Sequence, residues 1–152
     1  MSECLIEKIL VATDGSEPSL DAARYAAEIA ACVGAYAVVL NAAEVSVVTQ
    51  FVRSAVATNE ASEPDPRETG LEVADKTKEI FNELGIPAHT KIIEGPAADV
   101  IIREAQDGDY DLIVMGSRGV GMGVHPRVSS GLGSVAEQVL GSAPCPVLLA
   151  RE

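Results

Sequence analysis

The chain has 152 residues, with 11 Lys and Arg against 23 Asp and Glu, and so a formal charge of −12. That length suits one compact domain spanning 1–152, and a hydrophobic fraction of 47% excludes disorder throughout. The acidic balance argues against two partner classes: nucleic acid bound by phosphate neutralisation, and an anionic membrane surface.

Lys8–Ala12 (KILVA) is a short aliphatic run of the kind buried on both faces of a parallel sheet. It leads into Thr13-Asp14-Gly15-Ser16, a turn in which Ser16 suits a helix N-cap and Pro18 fits the first helical turn. Leu20, Ala23, Ala27 and Ala30 then recur at helical spacing, and Gly34 is a natural stop. Residues 37–43 (AVVLNAA) predict a second buried strand. A long connection over 44–67 follows, with room for a short helix at 47–56. The pattern predicts a helix over 69–84 ending at Gly85, a third strand at Ala88–Glu94 and a helix over 96–106. Residues 111–115 (DLIVM) predict a fourth strand, followed by a glycine-rich stretch. A short helix over 134–140 and a last strand, Val147–Ala150 (VLLA), close the chain. Strict alternation of strands and helices predicts an α/β fold: a doubly wound, five-stranded parallel sheet with helices on both faces.

With no Trp and 3% aromatic residues, the core must be built from Val, Ile, Leu and Ala. Lysine is scarce (Lys8, Lys76, Lys78, Lys91), a bias that fits either a high-salt cytoplasm or an ordinary acidic protein. Cys4, Cys32 and Cys145 form neither a metal pair nor a disulfide framework, and their apolar neighbours predict small buried hydrophobes in a reducing compartment. The N-terminal residues lack signal-peptide features and no apolar run approaches about 18 residues, so a soluble cytoplasmic chain is expected.

In doubly wound sheets ligands bind beyond the carboxyl ends of the strands, where the strand order reverses. Three segments are placed there: Thr13 to Ser16, Asn41-Ala42-Ala43, and the stretch 116–134. Glycines at 116, 119, 121, 123, 131 and 133 allow close backbone approach to a ligand, and free N–H groups there can cradle an anion. Gly133-Ser134 opens a helix whose N-terminus favours phosphate, with Arg118 or Arg127 available to add charge. It is neither a Walker loop nor a dinucleotide fingerprint, because no Gly-Lys-Ser/Thr occurs and position 124 is Val124. The competing reading is a solvated connection. Asp14 likewise has two readings, a bond to ribose or base, or a helix cap shared with Ser16.

His89 falls inside the third strand and reads as structural, while His125 reads as a solvated loop residue. Asp107, Asp109 and Asp111 lack the glycine and terminal Glu of a calcium loop and read as a solvated turn. No activated nucleophile or base stands out, and no catalytic residue or metal ligand is assigned.

Three segments together, ILVATDGSEPSLDAARYA, DLIVMGSRG and GSVAEQVLGSAPCPVLLAR, resemble the universal stress protein family over nearly the whole chain. The resemblance implies a flavodoxin-like or adenine-nucleotide α-hydrolase-like sheet, usually in a homodimer, here through the edge strand Val147–Ala150. It implies ATP as ligand, with AMP or ADP as variants and Mg accompanying ATP. Ala12, Thr13, Asp14 and Ala42 would meet the adenosine, Met115 and Gly116 the ribose side. Arg118, Gly119, Gly133, Ser134 and Val135 would hold the phosphates.

The chain departs from the family's Gly-x2-Gly-x9-Gly-Ser/Thr pattern. Thirteen residues, 120–132, separate Gly119 from Gly133, an insertion of four. Counting back from Gly133 restores the spacing at Gly123, which marks 120–123 (VGMG) as the insert. The insert either bulges outward, folds over the site or displaces the Gly119 end. The expectation is therefore an ATP-binding stress-response or regulatory protein. The alternative is a dimeric interaction module of the same family that binds no nucleotide, and enzymatic activity extends at most to weak ATP hydrolysis.

Overall fold

The computed structural model describes residues 4–44, 65–117 and 132–151. Its elements in chain order are β1 (Lys8–Ala12), α1 (Glu17–Val33), β2 (Tyr36–Ala43), α2 (Pro66–Glu83), β3 (Ala88–Glu94), α3 (Ala97–Gly108), β4 (Leu112–Gly116), α4 (Ser134–Ser142) and β5 (Val147–Ala150). All strand pairs are parallel and the sheet order is β3-β2-β1-β4-β5. This is the doubly wound α/β architecture that the alternation of elements predicts. The expected helix at 47–56 lies outside the described residues, as do Arg127, His125 and the VGMG insert.

Alternation along the central strands divides the core in two. Ile9, Val11, Val39 and Val114 pack on one face against Ala22, Ala23, Ala26, Ala27 and Ala30 of α1 and Ala74 and Phe81 of α2. Leu10, Leu40, Ile113 and Met115 pack on the other against Val100, Ile101 and Ala105 of α3 and Val139 of α4. These five alanines of α1 are at most 1% exposed, so small side chains bring that helix close to the sheet. A chain so poor in aromatics fills its core this way.

The helix ends follow local chemistry. The Ser16 side chain accepts from Ser19 N at α1's start, and Gly34 N–H donates to Ala30 O at its end, 2.8 Å away. Helix α2 begins three residues before the periodicity suggests, because Asp65 accepts from Arg67 N and Pro66 takes the first helical position. Asp109, with φ 52°, stops α3 two residues later than expected.

Two readings of the sequence need correction. Cys4 and Cys32 are exposed and only Cys145 is half-buried. Cys32 sits among apolar neighbours in sequence, but in a helix adjacent residues point to different faces, and its face is the outer one. The acidic turn before β4 is more than solvated, because Asp111 Oδ2 accepts from Glu7 N and Lys8 N, each at 3.0 Å, and anchors the start of β1. Burial first, and the Asp111 carboxylate second, hold the Cys145 thiol above its ordinary range. Among the described residues no helix is long and apolar enough to cross a membrane.

Candidate functional site

After β1 the chain builds outward through β2 and β3, then returns to place β4 on the other side of β1. Connections from β1 and β4 therefore leave in opposite directions and open a crevice beyond their carboxyl ends. A cleft occupies that crevice, lined by Ala12, Thr13, Asp14, Ser19, Leu40, Ala42, Ala97, Ile101, Met115, Gly116, Ser117, Val135 and Ala136. Its cavity volume of about 90 Å³ is several times what one water needs.

Seven residues singled out from the sequence thus meet in one place: Ala12, Thr13, Asp14, Ala42, Met115, Gly116 and Val135. Gly133 and Ser134 immediately precede Val135, as N-cap and first residue of α4. Arg118 and Gly119 lie outside the described residues. Sequence reasoning missed Ala97 and Ile101, which α3 contributes one turn apart, and Ser117, which follows β4 directly.

The β1 turn is built by short-range bonds. Thr13 N–H donates to Leu40 O at 2.9 Å, so the ladder to β2 continues past the strand end. Asp14 Oδ1 accepts from Ser16 N at 2.9 Å and from the Ser16 hydroxyl, while Ser16 Oγ accepts from Ser19 N. Asp14 therefore supports the cap, and its position also lines the cleft.

Three helix N-termini reach the cleft, that of α1 through Ser19, and those of α3 and α4 differ in charge compensation. At α3, Ala97 N–H donates to Glu44 Oε1 at 2.8 Å, so a carboxylate of the chain itself meets that positive end. At α4 the N-cap is Gly133, which has no side chain to cap the first turn. Gly133 N–H donates to Ser117 O at 2.7 Å, which ties α4's start to the end of β4. The two ends of the glycine-rich stretch therefore meet whatever its length. The remaining first-turn N–H groups and the helix dipole favour an anion at α4.

A second cleft, of about 560 Å³, lies at the amino ends of β1, β2 and β3, and several of its polar groups pair with one another. Glu104, 8% exposed, accepts from Tyr110 Oη and Lys91 Nζ, both at 2.8 Å. Lys8 Nζ donates to Gly108 O at 2.6 Å and lies 4.3 Å from the centre of the Tyr110 ring. His89 is in β3 as expected, exposed and edge-on to Tyr36. Burial, then the bond to Glu104 and its charge, push the Tyr110 hydroxyl well above its ordinary value near 10. A raised folded-state value keeps this contribution whole below about pH 10 and erodes it at higher pH. Tyr110→Phe is expected to cost about 1–2 kcal/mol at pH 8 by removing a donor from Glu104. Urea midpoints of the two proteins should then converge toward pH 11; a gap that is constant or widens contradicts this account.

Residues 6–151 match the model of the universal stress protein family. The chain belongs to that family. Universal stress protein MJ0531 of Methanocaldococcus jannaschii is 36% identical over 99% of this chain and 85% of its own length. Among solved structures, a universal stress protein in complex with cAMP superimposes with a TM-score of 0.72, at 20% identity over 97% of this chain and 98% of the other. The universal stress protein of Archaeoglobus fulgidus in complex with dAMP gives 0.67, at 20% identity over 97% and 99%. Those likenesses establish the shared fold.

Proposed function

We propose that this family member binds an adenine nucleotide, ATP in the first instance, in the β1–β4 cleft and uses its occupancy in a regulatory, stress-response role. The observation that carries the reading is the convergence of Asp14, Ala42, Met115 and Gly116 with the glycine-capped start of α4 in one crevice. Adenosine would lie along Ala12, Thr13, Asp14 and Ala42, with Met115 and Gly116 on the ribose side. Phosphates would lie against Gly133 and meet the N–H groups of Ser134 and Val135, joined by Arg118 and Gly119, with Mg accompanying a triphosphate. Universal stress proteins of the same fold solved in complex with cAMP and dAMP support an adenine nucleotide as the ligand. The Gly133–Ser117 bond supports a phosphate end that survives the four-residue insertion.

Thermal unfolding with and without Mg-ATP tests the reading. At a ligand concentration near 100 times Kd the native state gains about 2.7 kcal/mol, roughly a 5–10 °C rise for a chain this size. No shift at millimolar ATP, ADP or AMP would sink it and favour the interaction module instead.

We also propose self-association along β5, a sheet-edge strand that pairs with β4 and carries the uncharged sequence VLLA. Light scattering should return twice the 15.8 kDa chain mass at micromolar concentration. A monomer there contradicts the pairing.

A further inference from the structure

Beneath the Asp14 turn lies a polar cluster inside an otherwise aliphatic core. Thr13, Ser19, Asn41 and Thr77 are each at most 7% exposed. Thr13 Oγ1 lies 2.9 Å from Thr77 Oγ1 and 3.2 Å from Ser19 Oγ, and Asn41 Nδ2 donates to Thr13 O at 2.9 Å. Thr77 Oγ1 in turn donates to Val73 O, one turn back in α2. Threonine and valine have nearly the same shape, so valine at position 77 would fill the same space without a hydroxyl to satisfy. Hydrogen bonds add direction to what an apolar contact would supply as cohesion.

Helix α2 touches the turn along one stripe. A Cβ at Gly70 would come within 2.4 Å of Asn41 Oδ1, and one at Gly15 within 3.2 Å of a Val73 methyl. With Thr77 against Thr13, positions 70, 73 and 77 recur at the three- and four-residue spacing of one helix face. We propose that α2 positions the Asp14 turn, with Thr77 and Asn41 as positioning residues that orient Asp14 toward the cleft without touching ligand. Thr77 holds the Thr13 side chain and Asn41 holds its carbonyl, so the residue before Asp14 is fixed from two sides. This inference rests on the nucleotide reading above and names the residues that make its adenosine end rigid.

The test is a double-mutant cycle read by titration calorimetry with AMP. In Thr77→Val, Thr13 Oγ1 keeps Ser19 Oγ and the Gly15 N–H at 3.3 Å, so the fold is expected to survive. Affinity should fall roughly fivefold, the size of one hydrogen bond's net worth, and Thr77→Ser should restore it to within about twofold. In an Asp14→Ala background Thr77→Val should bring no further loss. Equal losses in both backgrounds, or no loss in either, overturn the proposal. Amide spectra of the nucleotide-free protein decide it separately. Thr77→Val should shift and speed the exchange of the Gly15 amide while α2 amides beyond residue 78 stay protected, and an unmoved Gly15 amide overturns positioning. A wild-type chain that binds no AMP overturns the nucleotide site, and the amide result then stands alone for or against positioning.

Discussion

Phe81→Ala is expected to lower the unfolding free energy by about 3–5 kcal/mol, a larger loss than any surface substitution brings. Phe81 is fully buried on α2, packed among the small alanines of α1 and the sheet. Small neighbours cannot reach into the space that a missing ring leaves, so most of the cavity persists and its cost is not recovered. For a chain of this length the melting temperature should drop by roughly 10 °C or more. Chemical unfolding at 25 °C provides the check, with Phe81→Leu as the milder control. A loss below about 1.5 kcal/mol would mean that α2 resettles on the sheet, and the packing of that half of the core would need revision.

Gly116→Ala should damage stability and ligand response together. A Cβ at Gly116 would stand 3.0 Å from the carbonyl carbon and Cβ of Pro18 and 3.1 Å from its oxygen. Pro18 is in α1's first turn, so the clash is with backbone that no rotamer change can move aside. Relief requires α1 to back away from β4, carrying with it Ser16 and the Asp14 turn that Ser16 braces. Overpacking of this kind costs about 1–3 kcal/mol. The decisive measurement is the thermal shift produced by Mg-ATP, which should shrink by more than half relative to wild type. A variant that is destabilised yet keeps the full shift would show that Gly116 serves packing alone.

Much of the fold was legible because buried parallel strands and amphipathic helices leave periodic marks. KILVA and VLLA match β1 and β5 to the residue, and Ser16 and Gly34 bracket α1. The cleft was legible where a general rule of doubly wound sheets places it, at Thr13-Asp14 and Met115-Gly116. What stayed hidden were bonds between polar groups far apart in the chain. Asn41 to Thr13 spans 28 residues, Ala97 to Glu44 spans 53, and Glu7 to Asp111 spans 104. Such pairings have no period, and an Asp or Asn that staples two strands reads locally as a turn residue. Ala97 and Ile101 were missed because their spacing marks only a core-facing helix stripe. Cys32 was misread because apolar neighbours in sequence were taken for apolar neighbours in space.

The two borders of the sheet differ in a way that sets a limit on assembly. At one border β3 carries Lys91 and Glu94, charges that disfavour the addition of another strand, while at the other β5 is uncharged. A protomer with one receptive border has a valence of one. Pairing two copies through β5 uses up the receptive border of each, and growth stops at two. A second receptive border would instead let copies join end to end without closing. Under the proposed pairing through β5, the charges on β3 would act as a terminator, and neutralising Lys91 and Glu94 would remove the feature that separates a finite pair from an open chain.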